Sequence, residues 1–249
     1  MDPVPVRLAS TVIPLRDGPS GPEVFLVQRN RRSGFLPNAW VFPGGRVESS
    51  DANVRVSNLA GLGRVSCDDL ALHAVAGLRE TMEESGLWLG GAGGWPAEAV
   101  DASGLVPWSR WVTPEIEARR FDTLFFVARA EGEGRHDEAE TVASGWFSPR
   151  DIVHGGTALP LAPPTWWTLF ELAPFDDVAA ILVGAESRRV SPIRPILQFG
   201  DAGIVLLLPG HPEHPDGPQD GLPDRVDYEA GSWVATRQGV RIVVRALNT

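Results

Sequence analysis

The sequence contains no lysine, a single cysteine and a single tyrosine among its 249 residues. All 22 basic residues are therefore arginines, and 32 acidic residues outnumber them, so the formal net charge is −10 at pH 7. Because a chain of this charge repels phosphate backbones and anionic lipids, we expect neither nucleic acid nor a membrane as a partner. The lone cysteine, Cys67, excludes a disulfide within the chain and fits a reducing compartment.

Long apolar runs are also lacking. The longest ones, such as residues 204–209, are far shorter than the ~20 residues that a membrane-spanning helix needs. Near the N-terminus, no basic segment precedes an apolar run of the length found in signal peptides. Since 43% of the residues are hydrophobic, the chain can nevertheless bury one substantial core. We therefore expect a cytoplasmic globular protein.

Residues 70–87 are the most informative stretch that is present, because they have the periodicity of an amphipathic helix. The apolar stripe of this helix consists of Ala71, Val75, Leu78 and Met82. Glu80, Glu83 and Glu84 lie on the other side, where neighbouring like charges repel one another. Carboxylates grouped in this way favour a hard divalent cation, although a solvated acidic helix face has the same pattern.

A basic cluster that includes Arg29 and Arg31 follows a predicted strand at residues 23–29. Planar guanidinium groups suit the oxygens of a diphosphate, so the cluster is a candidate substrate-binding site. A solvated loop is the alternative interpretation. Further along, Gly44 and Gly45 end another predicted strand, at a point where the missing Cβ atoms allow the backbone to approach a ligand closely.

Two segments resemble the halves of the Nudix box. Residues 79–87 read Arg-Glu-Thr-Met-Glu-Glu-Ser-Gly-Leu and match the pattern R-E-U-x-E-E-x-G-U, in which U is bulky and apolar, at every fixed position except Thr81. Residues 40–48, with their double glycine, resemble the strand and loop that open the box. The resemblance implies an α/β (α+β) fold of the Nudix type, in which a central mixed β-sheet is sandwiched between helices.

The resemblance also implies a division of the chain. Residues 1–186 would form the Nudix hydrolase domain, and residues 187–249 would form a β-rich C-terminal extension packed on the same domain. Residues 49–68 are an insertion of about twenty residues within the box. Asp51 stands where the family has its first box glutamate, but Arg79 comes too late for the usual spacing. The first acid is therefore Asp51, or Asp68 or Asp69 at the helix start, or absent.

Roles for the helical acids follow from the resemblance. Glu83 and Glu84 would bind Mg²⁺ or Mn²⁺, and Glu80 would be a third ligand or would orient a water. Arg79 would hold these acids by charge-assisted pairing. A further ligand or the catalytic base would be Glu140, which stands six residues before Trp146, with Glu138 as the alternative.

The implied activity is hydrolysis of a diphosphate that joins a nucleoside to another group, X. The segments 25–29, 34–37, 42–45 and 120–123, together with the long insertion, resemble the subgroup that contains the mammalian peroxisomal coenzyme A diphosphatase. Coenzyme A or an acyl-coenzyme A is therefore a candidate substrate. A Nudix-like module that binds a nucleotide without cleaving it is the alternative function, and a homodimer is possible in either case.

Overall fold

The computed structural model describes residues 4–31, 37–59, 65, 67–157, 159–200, 203–219, 222–229 and 232–243. Residues 34–36 of the proposed subgroup signature, and residues 60–64 and 66 of the insertion, lie outside this part of the chain. The strands are β1 (Val6–Gly18), β2 (Gly21–Arg29), β3 (Trp40–Val41), β4 (Gly44–Arg46), β5 (Arg55–Ser57), β6 (Ala99–Asp101), β7 (Val106–Val112), β8 (Arg120–Arg129), β9 (Thr141–Phe147), β10 (Pro192–Ile193), β11 (Ile196–Gly200), β12 (Gly203–Leu207), β13 (Arg225–Glu229), β14 (Ser232–Arg237) and β15 (Val240–Val243). The helices are a 3₁₀ helix at Ser49–Asn53, α1 (Leu70–Ser85), α2 (Pro149–Val153), α3 (Pro163–Leu172) and α4 (Val178–Ser187).

A mixed β-sheet, here called the main sheet, forms the centre of the molecule. Its strand order is β10-β7-β8-β1-β2-β3, with β4 also paired to β1 and β9 also paired to β2. The β1–β8 and β10–β7 pairs are parallel, and the remaining pairs are antiparallel. Strands β1 and β8 carry apolar residues on both faces, as expected for the middle of a sheet that is covered on both sides.

Helices cover the two faces of the main sheet. Val12 of β1 belongs to a hydrophobic cluster with Val75 and Leu78 of α1. The next residue, Ile13, points to the opposite face. It belongs to a second hydrophobic cluster, which contains residues of α3 and α4, including Trp166 of α3. This arrangement confirms the sandwiched mixed sheet that the resemblance implied.

Helix α1 begins and ends close to its predicted limits. Asp69 is the residue before its first turn, although its side chain makes no capping hydrogen bond there. At the other end, Gly86 has a left-handed conformation with φ of 69° and donates its N–H to Met82 O at 2.9 Å. Glycine adopts this conformation without strain, so the chain leaves the helix directly after its last acidic turn.

Strands β11 to β15 form a second, antiparallel sheet, here called the C-terminal sheet. Leu206 and Val226 of this sheet belong to the same hydrophobic cluster as Trp166 and Trp167 of α3. The side-chain N–H of Trp233 also donates to Leu161 O at 2.8 Å. The C-terminal sheet therefore packs against the helices that cover the main sheet, while the domain boundary at residue 186 stays a prediction. Within the described part of the chain, every helix is too short or too polar to cross a bilayer.

Candidate active site

The last turns of α1 pack against the short strand β4. The double glycine was predicted to lie in a loop, but Gly44 and Gly45 begin β4 and pair with Thr11 and Ser10 of β1. A Cβ atom on Gly45 would lie 2.4 Å from Glu80 Cδ, so any other residue at this position would displace the carboxylate from where it lies. The N–H of Gly44 donates to Glu84 Oε2 at 2.9 Å. The two glycines therefore allow β4 to lie directly against the acidic face of α1.

Arg79 connects several acids at the centre of the site. Its Nη1 donates to Glu80 Oε1 at 2.8 Å and to Glu83 Oε2 at 3.1 Å. Its Nη2 donates to the carbonyl oxygen of Arg46, the last residue of β4, at 2.8 Å. Burial would lower the pKa of Arg79, but the hydrogen bonds and charges of Asp51 and Glu80 raise it above the ordinary value. The guanidinium therefore stays charged and fixes the helix relative to the strand.

Asp51 contacts Arg79 through both of its carboxylate oxygens. Its Oδ1 accepts from Arg79 Nε at 2.9 Å and its Oδ2 accepts from Nη2 at 3.1 Å, so the pair is bidentate. The N–H of Glu48 donates to Oδ2 at 2.7 Å, and the Asp51 side chain is fully buried in the 3₁₀ helix. Of the three acids that the sequence left open, Asp51 is the one that pairs with Arg79 among the described residues. Asp51 lies within the predicted insertion at residues 49–68, so the start of that segment contacts helix α1.

The acids around Arg79 repel one another in a poorly solvated place. The pKa of Glu84 is raised to about 8, mainly by burial and also by the charges of Glu80 and Glu140, against the opposing effects of the Gly44 N–H and of Arg29. Burial also raises the pKa of Glu80 in spite of the charge and hydrogen bond of Arg79, and Glu83 and Glu140 act in the same direction as burial. Negative charge at this position therefore costs free energy unless a cation is near.

Of the two acids that were candidates for the base, Glu140 and Glu138, Glu140 is the one that acts on the α1 acids. Its charge raises the pKa of Glu80 and that of Glu84. Glu138 instead forms an exposed ion pair with Arg135. The carbonyl oxygen of Glu140 accepts from the N–H of Asn30 at 2.9 Å, which ties this loop to the end of β2.

Asp137 organises the loop that carries Glu140, and sequence reasoning missed it. Its Oδ1 accepts from Thr141 Oγ1 at 2.7 Å and from Thr141 N at 3.0 Å, and its Oδ2 accepts from Glu140 N at 3.1 Å. Burial alone would raise the pKa of Asp137, but these hydrogen bonds hold it below the ordinary value. An aspartate four residues before a threonine at a strand start is the signal that could have identified it.

The two candidate substrate-binding arginines lie in different surroundings. Arg29 ends β2, lowers the pKa of Glu84 by its charge, and lines a cavity of about 360 Å³ that also reaches Gly44. Arg31 is exposed, two residues beyond the end of the strand. The structure therefore brings Arg29 to the acid cluster and leaves Arg31 at the surface.

Comparison with known proteins agrees with this geometry. No family model matches the chain. The chain is 27% identical over 284 residues to the acyl-coenzyme A diphosphatase NUDT19 of Gallus gallus, with 80% of this chain and 75% of that protein covered. It is 28% identical over 219 residues to the putative nudix hydrolase 7 of Caenorhabditis elegans, with 75% and 68% covered. The crystal structure of a NUDIX hydrolase from Alicyclobacillus acidocaldarius superposes with a TM-score of 0.60 and 29% identity, over 72% of this chain and 96% of that one. The chain is therefore similar to Nudix hydrolases in both sequence and fold.

Nudix hydrolases generally use divalent metal ions, and the acids of this site suit one in their chemistry. Among the described residues, no three side chains of His, Cys, Asp or Glu are already arranged as a metal-binding group. The reason is visible in the contacts, because Glu80 and Glu83 bind Arg79 and Glu84 accepts from Gly44. Carboxylate oxygens are the preferred ligands of hard cations, and the mutual repulsion of these acids would be relieved by one. In its chemistry, the donor set therefore fits a divalent ion.

Proposed function

We propose that the protein is a metal-dependent hydrolase that cleaves the diphosphate linkage of a nucleoside diphosphate conjugate. The observation that carries this proposal is the group of acids that gathers around Arg79 and beside β4. These acids are Glu80, Glu83, Glu84 and Glu140. Glu84 is buried and Glu80 is partly buried, whereas Glu83 and Glu140 are exposed. Negative charge on the first two destabilises the folded chain by itself, and it is explained if a cation and a phosphate group belong there.

Glu80, Glu83 and Glu84 would hold the ion, for which we propose Mg²⁺ or Mn²⁺. When bound, the ion supplies a Lewis acid that lowers the pKa of water and neutralises charge on the phosphate oxygens. Arg79 would position the carboxylates rather than touch the substrate, and Asp51 would hold Arg79 through its bidentate pair.

Glu140 is the proposed base. Its carboxylate would take a proton from the attacking water, whose oxygen forms the new bond to phosphorus as the bridging P–O bond breaks. Arg29 would bind the phosphate groups, because its charge already acts on Glu84 and it lines the adjoining cavity. Gly44 and Gly45 would place backbone beside the phosphates, while their missing Cβ atoms make room for β1 and for Glu80. Arg31 would meet only the more distant parts of the substrate.

Coenzyme A or an acyl-coenzyme A is the proposed substrate. Relatives in Gallus gallus and Xenopus laevis, 27% and 26% identical to this chain, are named acyl-coenzyme A diphosphatases, and their names supply the candidate. A cytoplasmic location and a homodimer stay predictions.

A nucleotide-binding module without activity is the second candidate. It is favoured by the contacts of Arg79, which occupy Glu80 and Glu83 and leave no metal-binding group preassembled among the described residues. The two candidates differ in whether the substrate is consumed.

Turnover of a panel of conjugates with Mg²⁺ or Mn²⁺ separates the two candidates. The panel contains coenzyme A, an acyl-coenzyme A and ADP-ribose, and the products are resolved chromatographically. We expect Glu83→Gln to lower kcat about 100-fold or more, because it removes a proposed metal ligand. Glu186→Gln, an exposed acid on α4, is the matched control and should behave as wild type. Full activity of Glu83→Gln would remove the metal role, and no turnover of any conjugate would favour the binding module.

A further inference from the structure

We propose that Asp137 is a positioning residue that holds the carboxylate of Glu140 beside the acids of α1. This inference rests on the proposed function, because Glu140 is the proposed base. Among the described residues, the hydrogen bonds of Asp137 all go to residues 139–141. Asp137 would therefore act on the reaction through Glu140, without touching the substrate itself.

The carboxylate of Asp137 binds the backbone on the N-terminal side of Glu140. Its Oδ1 accepts from the N–H of Ala139 at 3.3 Å and from that of Thr141 at 3.0 Å, and its Oδ2 accepts from the N–H of Glu140 at 3.1 Å. Within this turn, Glu138 has a left-handed conformation with φ of 65°, which is uncommon for a residue other than glycine. The side chain of Asp137 thus stabilises a turn that local preference alone does not favour.

The backbone of Glu140 is also held on its C-terminal side. Its carbonyl oxygen accepts from the N–H of Asn30 at 2.9 Å, and Asn30 directly follows the end of β2. With its N–H bound to Asp137 and its carbonyl oxygen bound to Asn30, Glu140 has a fixed backbone. The position of its carboxylate is then decided by side-chain torsions alone.

The same loop is joined to Arg29, the residue proposed to bind the phosphate groups. The hydroxyl of Thr141 donates to Asp137 Oδ1 at 2.7 Å, and the side chain of Thr141 is buried. Thr141 is the cross-strand partner of Arg29, at a point where the register between β2 and β9 shifts. Such bulges are common beside active sites, where they redirect side chains. Asp137 therefore ties the loop of Glu140 to the strand end that carries Arg29.

A restraint is needed because Glu140 is exposed and is repelled by its neighbours. Its negative charge raises the pKa of Glu80 and that of Glu84, so the three carboxylates repel one another. In an unrestrained loop, Glu140 would move away from α1 into water. A general base must nevertheless lie within hydrogen-bond reach of the water that it activates. The bonds of Asp137 supply the restraint that this repulsion opposes.

Two substitutions of Asp137 separate hydrogen bonding from charge. Asp137→Ala removes all the acceptors and should lower kcat roughly 10–100-fold with little change in KM, because a displaced base slows the chemical step. Asp137→Asn keeps one side-chain oxygen and should stay within about threefold of the wild type. Glu131→Ala, which removes an exposed acid from the same loop, is the matched control and should behave as wild type.

Steady-state kinetics with the conjugate that the wild type cleaves fastest measures these effects, and circular dichroism establishes that each variant is folded. Full activity of Asp137→Ala would overturn the inference. An equal loss in Asp137→Asn and Asp137→Ala would also overturn it, since the charge would then be responsible.

A double-mutant cycle with Glu140→Gln tests whether Asp137 acts through Glu140. In the Glu140→Gln background, Asp137→Ala should lower kcat less than about twofold, because the base is already absent. A purely structural role would lower kcat by the same factor in both backgrounds. That result would overturn the assignment of Asp137 as the positioning residue of Glu140.

Urea unfolding measures the same coupling without turnover. At about pH 9 in EDTA, Glu140→Gln should raise the urea midpoint, because it removes a charge that repels Glu80 and Glu84. In the Asp137→Ala background this rise should disappear, since the released loop already carries the charge away.

The outcomes separate this inference from the proposed function. If the coupling appears in urea but no conjugate is cleaved, the positioning of Glu140 is supported and the hydrolase proposal fails. If conjugates are cleaved but Asp137→Ala changes neither kcat nor the effect of Glu140→Gln on the urea midpoint, the hydrolase proposal stands and the role of Asp137 is overturned.

Discussion

Arg79 and Arg188 each hold carboxylates away from bulk solvent, but their surroundings differ in charge balance. Among the described residues, the acidic partner of Arg188 is Glu171, whose Oε1 accepts from Nη2 at 2.8 Å and whose Oε2 accepts from Trp108 Nε1 at 3.2 Å. The guanidinium lies 4.1 Å from the centroid of the Trp108 ring and donates to the carbonyl oxygen of the same residue. This cluster is neutral, and both oxygens of its carboxylate are bound within the protein.

The Arg79 cluster has an excess of negative charge. Asp51, Glu80 and Glu83 all bind the one guanidinium, and Glu140 lies near enough for its charge to raise the pKa of Glu84. Burial raises the pKa of Glu171 just as it raises that of Glu84. A perturbed carboxyl group is therefore common to both clusters and does not distinguish them. The unbalanced charge distinguishes them, and it marks the Arg79 cluster as the one that needs a ligand.

The largest expected effect comes from the acid that we assign as the base. Glu140→Gln should lower kcat by ~10²–10⁴, because a neutral amide cannot accept the proton. Glu138→Gln is the matched control in the same loop and should leave kcat nearly unchanged, since Glu138 pairs with Arg135 at the surface. Steady-state kinetics with the best conjugate of the panel measures both. A large loss in Glu138→Gln with none in Glu140→Gln would show that the base has been assigned to the wrong residue.

The same conservative change at the two arginines tests the comparison directly. Arg79→Lys should lower kcat/KM roughly 100-fold, because an ammonium group cannot bind Asp51 in a bidentate manner while also reaching Glu80 and Glu83. Arg188→Lys should keep its activity and lower the free energy of unfolding by ~1 kcal/mol, as expected for lost hydrogen bonds in a structural cluster.

Kinetics combined with urea unfolding distinguishes these two results. If both variants lost activity equally while remaining folded, the distinction between a functional and a structural cluster would not hold.

The sequence predicted the parts of the site that depend on local periodicity. The spacing of apolar residues over a few turns predicted helix α1 and placed Glu80, Glu83 and Glu84 on one side of it. Gly86 ends the helix as predicted. The pairing of Asp51 with Arg79 was left open, because these residues are 28 apart and the length of an insertion does not show where the chain returns. Tertiary contacts, rather than local preference, decide that pairing.

The remaining features depend on contacts between distant segments. The double glycine forms a strand because β4 finds a partner in β1, which no local signal indicates. Glu140 and Glu138 differ because the hydrogen bonds of Asp137 fix the loop, and Glu138 itself has a left-handed conformation with φ of 65°. The cavity that Arg29 lines forms only when the C-terminal sheet packs against the main sheet. Its lining residues are therefore scattered through the sequence and make no motif.

An effect that needs no turnover is a pH dependence of the free energy of unfolding that separates the two clusters in the absence of a metal. Because the pKa of Glu84 is raised from 4.5 to about 8, the folded chain binds more protons than the unfolded chain between these values. The free energy of unfolding in EDTA should therefore be highest at low pH in this window and should fall by a few kcal/mol as pH rises to about 8, since each pKa unit corresponds to ~1.4 kcal/mol. Glu84→Gln should remove most of this fall. Mn²⁺ should do the same in the wild type, because it balances the charge of the Arg79 cluster.

Glu171→Gln should not change the response to Mn²⁺, since Arg188 already balances that carboxylate. Urea unfolding of the wild type, Glu84→Gln and Glu171→Gln at a series of pH values, with and without Mn²⁺, measures these effects. A Mn²⁺ response that disappears in Glu171→Gln but persists in Glu84→Gln would reverse the assignment of the two clusters.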